Sequence, residues 1–207
     1  MTRVATYLAL ALAWLGYFSP WITPAPVALR LTGYDLVEWL SFAQTVRDGT
    51  FIVTRVDIVS PLMMIAILFV TQDLTRLNKA VRSLLIGFAV LNAFLILPSY
   101  PFILTAHSDP ELRPQLIAGV ITFVGVGLVV ALSMTRPMWA EGIGGGIAAG
   151  GVVLTIRAYA LASPVIADLL TRSAPIGYGI ILTISGFVIY FTLRVMYLYG
   201  RMRETRV

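Results

Sequence analysis

Four polar side chains in an otherwise apolar sequence are candidates to bind a solute or to form ion pairs: Arg157, Asp57, Asp168 and Asn92. Arg157 interrupts an uncharged run from Gly142 to Ala162, and a formal charge inside a membrane helix is a candidate functional residue because burying it in lipid is costly. An arginine donates hydrogen bonds to an anionic solute, whereas Asp57 or Asp168 would neutralise it in a structural ion pair. An amide such as Asn92 more often bonds a neighbouring helix than a solute.

The remaining reactive residue types do not form a pattern with catalytic chemistry. His107 lies beside Asp109 and Glu111 in the sequence His-Ser-Asp-Pro-Glu, which we interpret as a solvated turn rather than a metal site. Ser108 lacks the orienting acid and the oxyanion hole that a nucleophile needs. The chain has no cysteine and one histidine. We therefore expect a protein that is not an enzyme and that binds neither a metal nor another cofactor.

The composition places the chain in a membrane. Hydrophobic residues make up 58% of its 207 residues, charged residues only 12%, and the mean hydropathy is +0.88. Soluble domains have about 45–50% apolar and about 25% charged residues. The sequence therefore predicts an all-α membrane protein whose apolar surface faces lipid.

The uncharged runs predict a bundle of six transmembrane helices in one membrane domain, residues 1–207. A helix needs about 20 apolar residues to cross the bilayer. The second run, Ile58 to Gln72, has only 15 residues and is the shortest. We expect the first helix to remain as a membrane helix rather than to be cleaved as a signal peptide. The predicted ranges are TM1 at 4–21, a structured outer loop at 22–56, TM2 at 57–74, TM3 at 83–104, TM4 at 115–134, TM5 at 142–162 and TM6 at 176–198.

The distribution of basic residues predicts the orientation. With the amino terminus inside, the inner segments hold nine Lys and Arg residues and three acids, whereas the outer segments hold five Arg residues and seven acids. The positive-inside rule therefore predicts a multi-pass protein of the plasma or inner membrane with both termini cytoplasmic. The net charge of +5 reports topology, and we expect no nucleic-acid partner.

The outer loop is predicted to contain a helix from Tyr34 to Val46, because apolar positions recur there with helical spacing. Extended pieces are predicted on both sides of it, from Val27 to Leu31 and from Phe51 to Val56, the second because it is rich in β-branched residues. Trp39 and Phe42 lie beside polar residues on this helix, which is typical of an interfacial anchor. A lid over an outer cavity and a docking surface for a partner are the alternatives.

Two predicted helices carry small residues at four-residue spacing, which permits close helix packing. These residues are Ala5, Ala9, Ala13 and Gly16 in TM1, and Gly142, Gly146 and Gly150 in TM5. Packing within the chain and packing against another subunit both satisfy the pattern. On a helical projection, Arg157 lies within about 20° of both Gly146 and Gly150, so we expect it to face the bundle.

In layout, the chain resembles the small substrate-binding membrane subunits of energy-coupling-factor vitamin transporters. The resemblance consists of about six helices in roughly 200 residues, both termini inside, a first outer loop, and an alanine face on the first helix at Ala5, Ala9 and Ala13. It implies that this face docks a transport module and that the segment from Pro20 to Asp57 acts as a lid. No ligand-specific motif accompanies the resemblance.

These observations favour an accessory or structural subunit of a larger membrane complex, embedded in the lipid bilayer and contacting other membrane subunits. A small-solute transport subunit with an outer site near Arg157 is the alternative, and its partner would be a small-molecule ligand. A lipid-modifying enzyme using Asp57, His107, Asp109 and Asp168 is the third hypothesis. A polar outer cavity would favour transport, and an exposed small-residue groove would favour the accessory subunit.

Overall fold

The computed structural model of the chain describes residues 2–23, 30–171 and 173–204, without the side chains at 2–3, 41–42 and 201–204. The described part is all-α apart from one short hairpin. Its elements are α1 (Thr2–Tyr17), β1 (Pro20–Ile22), β2 (Leu31–Thr32), α2 (Gly33–Phe42), α3 (Gln44–Arg47), α4 (Arg55–Leu68), α5 (Lys79–Ile96), α6 (Arg113–Thr135), α7 (Pro137–Leu170) and α8 (Tyr178–Glu204), with 3-10 turns at Leu74–Arg76 and Phe102–Leu104.

Among the described residues, four helices are long and apolar enough to cross a membrane: α5, α6, α7 and the Tyr178–Gly200 part of α8. This is compatible with a multi-pass membrane protein. The apolar part of α1, Val4–Tyr17, is shorter, and α4 has 14 residues. The predicted count of six membrane spans therefore exceeds the number of long apolar helices.

Helices α1 and α8 pack antiparallel at backbone contact distance. Gly16 lies against Gly179 and Thr183, whereas Ala9 and Ala13 lie against Gly186. The ends of α1 and α8 that carry the chain termini therefore lie together, and we name this side of the bundle the termini end. The opposite side, covered by the described residues of 20–54, is the capped end. The covering segment is named the cap.

Helix α4 occupies the centre of the bundle, where it contacts α1, α2, α5, α6 and α7. Nine of its 14 residues are buried, so protein rather than lipid surrounds it. It spans only about 21 Å because each helical residue adds about 1.5 Å. Predicted TM2 extended to residue 74, but α4 ends at Leu68, and the irregular buried segment Val70 to Asp73 follows.

Side-chain hydroxyls donate to backbone carbonyls at the end of α4 and in the irregular segment that follows it. The Thr71 hydroxyl donates to Leu68 O at 2.9 Å, and the Ser133 hydroxyl of α6 donates to Val70 O at 2.5 Å. A buried backbone group without a hydrogen-bond partner would be costly. Helix α4 therefore ends inside the bundle, and a buried irregular segment follows it.

The cap forms a structured layer on the bundle, although its predicted extended pieces are only partly present. Strand β1 pairs antiparallel with β2, and Ile22 forms a bridge to Ile176 just before α8. Trp21 is fully buried and donates to Gly16 O at 3.1 Å. The second extended piece, predicted at 51–56, is not a strand, because α4 begins at Arg55. The first, predicted at 27–31, lies mostly outside the described residues.

Candidate functional site

The cap holds helix α2 directly over α4. A capping box fixes its start, since Thr32 accepts a hydrogen bond from the Asp35 backbone and the Asp35 side chain accepts one from the Thr32 backbone. Leu36 and Leu40 are on the side of α2 that is buried against the bundle. Glu38 lies on the side of α2 that reaches the start of α4, so the polar face of α2 meets charged residues of the bundle.

Arg55, in the first turn of α4, connects three elements. Its Nη1 atom lies 3.2 Å from Glu38 Oε1 of α2 and 3.4 Å from Gln115 Oε1 of α6. Gln115 in turn donates to Ile96 O at the end of α5, at 3.0 Å. The Arg55 Nε atom is buried and has no hydrogen-bond partner among the described residues. A buried donor without a partner has unused capacity for a ligand or water.

Two adjacent cavities surround Arg55 at the capped end, with volumes of about 270 and about 290 Å³. We name them the capped cavities. Arg47, Arg55 and Glu111 line both of them. The first is further lined by Leu40, Val46, Val53, Thr54, Pro110 and Pro114, and the second by Glu38, Ser99, Phe102, Asp109 and Leu112. Each volume is close to the lower limit of small-molecule sites, about 300 Å³.

The predicted site residue Arg157 forms an ion pair with Asp57, with Nη2 at 3.0 Å from Oδ1. Asp168, the other predicted partner, is exposed on the outer part of α7 and forms no ion pair with Arg157 within the described part of the chain. The expectation that Arg157 faces the bundle is wrong, because its side chain is 63% exposed. It does not line the capped cavities, whose arginines are Arg47 and Arg55.

Asn92 bonds a neighbouring helix. Its Oδ1 accepts a hydrogen bond from Trp14 Nε1 of α1 at 2.8 Å, and its Nδ2 donates to Phe88 O at 2.7 Å. The side chain is buried away from both capped cavities. Asn92 therefore joins α1 to α5 and does not contact a solute there.

Only one of the two predicted small-residue faces packs within the chain. Ala9, Ala13 and Gly16 contact α8, and Ala5 is half-buried at the termini end of the same helix. In contrast, a Cβ atom at Gly142, Gly146 or Gly150 would meet nothing within 4 Å. The expectation that these glycines pack inside the bundle is thus not met.

The bundle instead contacts the neighbouring face of α7. A Cβ atom at Gly144 would lie 2.9 Å from the Tyr190 hydroxyl, and one at Gly151 would lie 2.5 Å from the Phe187 ring. Both sets of glycines have helical spacing, so the pattern alone does not choose between them. The face with Gly144 and Gly151 turns inward because it accommodates the large side chains of α8.

Trp39 is half-exposed on α2, as an interfacial anchor would be, and the side chain of Phe42 lies outside the described residues. His107 is exposed and is not among the residues that line the capped cavities. Among the side chains that the structure describes, no three of His, Asp or Glu lie close enough to hold a metal ion.

Two ionisable side chains of the cap have shifted pKa values. Partial burial, followed by the nearby carboxylates Glu38 and Asp35, raises the pKa of Tyr34 above its usual value. Hydrogen bonds from the Thr50 side chain and backbone lower the pKa of Asp48. At neutral pH Tyr34 is therefore neutral and Asp48 is charged, and neither side chain lines the capped cavities.

Sequence reasoning missed a buried polar cluster at the termini end. Arg194 lies 3.7 Å from Glu141, donates to Gln72 Oε1, and stacks over the Tyr190 ring at 5.1 Å from its centroid. The Tyr190 hydroxyl accepts from Gln72 Nε2 at 3.2 Å and lies 2.5 Å from Thr71 Oγ1. Because Thr71 donates to Leu68 O, this cluster connects α8 to the end of α4.

The signal for this cluster was the shortness of the second apolar run, which ends at Gln72 and Asp73. The positive-inside rule counts charges near helix ends without regard to burial. Arg194 and Glu141 therefore count as inner charges in the sequence, although both side chains are buried. A cavity of about 90 Å³ adjoins the cluster, which is enough for about three water molecules.

Comparison of the chain with protein-family models, with curated proteins and with solved structures finds no match.

Proposed function

We propose that this chain is a non-enzymatic polytopic membrane protein that captures a small-molecule ligand in the capped cavities and serves as the ligand-binding subunit of a transport complex. In this proposal α1 and α4 join the four long helices as membrane spans. The capped end faces outward, and both termini are cytoplasmic in the plasma or inner membrane. The bias of basic residues toward the termini end supports this orientation.

The observation that carries the proposal is the position of Arg55 beneath the cap. Arg55 is held by Glu38 and Gln115 and borders both capped cavities, while its Nε has no partner among the described residues. An arginine fixed in this way is preorganised to bind a carboxylate or phosphate group, because its donors are already positioned. The buried residues of α4 below the cavities favour capture over conduction, so transport would need partner subunits.

The test is to identify small molecules that co-purify with the protein in discs of native membrane. Arg47 is exposed, so Arg47→Gln should preserve folding, and Arg55→Gln keeps a hydrogen-bond donor at the α4 site. Mass spectrometry of the extract should reveal a compound that the wild type retains and the double variant loses. Retention of the same compounds in equal amounts by both proteins would refute binding at the capped cavities.

A second candidate function is an accessory subunit that assembles with other membrane proteins through α7. It is favoured by Gly142, Gly146 and Gly150, which lie in open space on a membrane-length helix. Small residues on an exposed face let a partner helix approach closely. Mild-detergent purification and mass spectrometry of co-purifying proteins test this candidate, and it predicts that Gly146→Leu releases a stoichiometric partner. A partner that remains bound to this variant would count against assembly through α7.

A further inference from the structure

An apolar groove runs along the bundle surface beside the capped cavities. It has a volume of about 630 Å³ and lies between α4 and α6, where Val56 and Met63 face Ile117, Ala118 and Ile121. Thr54, Pro110 and Pro114 line both this groove and the first capped cavity. The groove and the cavity are therefore neighbours that share a rim.

The groove is slightly shorter than one lipid leaflet. It extends over nine residues of α6, from Arg113 to Ile121, or about 12 Å of helix, whereas half of a bilayer core is about 15 Å. Below it the two helices close together, since a Cβ atom at Gly125 would lie 3.2 Å from Ile67. Ile117 and Ile121 are exposed, so the groove opens sideways to the membrane rather than to the centre of the bundle.

Positive charge is concentrated where the groove meets the cavity. Arg47, Arg55 and Arg113 line this groove and the first capped cavity together with one carboxylate, Glu111. Because Arg55 is paired with Glu38, the remaining charges are Arg47 and Arg113 against Glu111, a net charge of +1. Asp109 and the Arg55 partner Glu38 line the second cavity. An anionic headgroup is thus favoured at the end of the groove, with an apolar chain along α4 and α6.

We propose that the ligand of the capped cavities is a membrane lipid with an anionic headgroup, which enters sideways through the groove between α4 and α6. The chain lies against Met63, Ile117 and Ile121, and the headgroup lies at the arginines beneath the cap. This inference rests on the proposed capture function and specifies its ligand. The proposed binding differs from ordinary contact with bulk lipid because an anionic headgroup is preferred at this groove and not elsewhere on the bundle surface.

The absence of cysteine permits a direct test with single labelled positions. Ile121→Cys places a fluorophore in the groove, and Ile181→Cys places one on α8 near the capped end. The two native side chains are equally exposed, at 57%. Each labelled protein is reconstituted in phosphatidylcholine discs that contain a small fraction of either brominated phosphatidylglycerol or brominated phosphatidylcholine, because bromine quenches the fluorophore at short range.

At position 121, we expect the anionic brominated lipid to quench more strongly than the neutral one. Each contributing arginine should favour the anionic lipid about fivefold, the fold-change that corresponds to about 1 kcal/mol. Position 181 should show no comparable preference. Arg47→Gln with Arg113→Gln should remove the preference at 121 without altering quenching at 181. Equal quenching by both lipids at 121, or an equal preference at both positions, would overturn the proposal.

Extracts from the native-membrane discs, compared with the quenching results, separate failure of this inference from failure of the proposed function. If no headgroup preference appears but extracts of the wild type still contain a water-soluble compound that depends on Arg55, the inference fails and the capture function stands. If neither a lipid preference nor an arginine-dependent compound is found, both fail.

Discussion

Arg55 Nη1 of α4 lies 3.2 Å from Glu38 Oε1 of α2, so one ion pair joins the cap to the centre of the bundle. Glu38 keeps about half of its side-chain surface exposed, at 48%. The pair is thus accessible to water, and it adds to the burial of Leu36 and Leu40, which holds α2 on the bundle.

Glu38→Gln should loosen the cap with little effect on global stability. Partly exposed ion pairs contribute at most about 1 kcal/mol, so the midpoint of thermal unfolding should change only slightly. Hydrogen exchange should accelerate in α2 and remain unchanged in α8. A charge exchange that combines Glu38→Arg with Arg55→Glu should restore slow exchange in α2, and no difference between wild type and Glu38→Gln would show that this pair does not hold the cap.

Arg194→Leu should destabilise the fold strongly. The substitution leaves the buried carboxylate of Glu141 without its guanidinium neighbour, and breaking a buried pair in this way costs about 3 kcal/mol or more. Combining Arg194→Leu with Glu141→Gln should recover a large part of the loss. Thermal unfolding in detergent measures both variants, and an Arg194→Leu protein as stable as the wild type would contradict the structural role of the cluster.

Gly186→Ala should separate α1 from α8. A Cβ atom there would lie 2.6 Å from Ala9 O, which is backbone and cannot move aside, so we expect a loss of about 1–3 kcal/mol. Gly146→Ala is the matched control, because its Cβ would meet nothing within 4 Å and alanine favours helix. Thermal unfolding of the isolated chain should decrease for the first variant only, and equal effects would refute this packing.

The Arg157 partner can be identified by a double-mutant cycle. Asp57→Asn removes the charge but keeps an oxygen that can accept the Thr54 backbone hydrogen bond, so it isolates the ion pair from the helix cap. We expect a coupling of at most about 1 kcal/mol between Asp57→Asn and Arg157→Gln, since Arg157 is largely exposed. Asp168→Asn should show no coupling with Arg157→Gln. Coupling to Asp168 in place of Asp57 would contradict the observed pair.

The features that could be predicted from the sequence are those that follow from the free-energy cost of burying polar groups in a membrane. A buried amide needs a partner, which Asn92 finds in Trp14, and a charge such as Arg157 needs a counter-ion, which it finds in Asp57. The all-α class and the small-residue face of α1 follow from apolar runs and spacing in the same way. These features are local, so they are visible in one segment at a time.

Features that depend on which segments meet could not be predicted. Helix α7 carries glycine on several sides, and only the rings of Phe187 and Tyr190 decide that Gly144 and Gly151 face inward. Likewise, Arg55 is a site residue because the cap brings Glu38 over it. The two residues are 17 positions apart in the sequence, and no recognisable motif links them.

Native mass spectrometry of the intact protein tests the central claim, ligand capture at the capped cavities, most directly. The protein is released from mild detergent without added ligand, and the wild type is compared with the Arg47→Gln, Arg55→Gln variant. The account predicts a wild-type population that carries one bound molecule of defined mass, reduced at least about tenfold in the variant, as expected for the loss of more than about 1.4 kcal/mol of binding. A wild-type spectrum without such a molecule, or equal occupancy in both proteins, would contradict it.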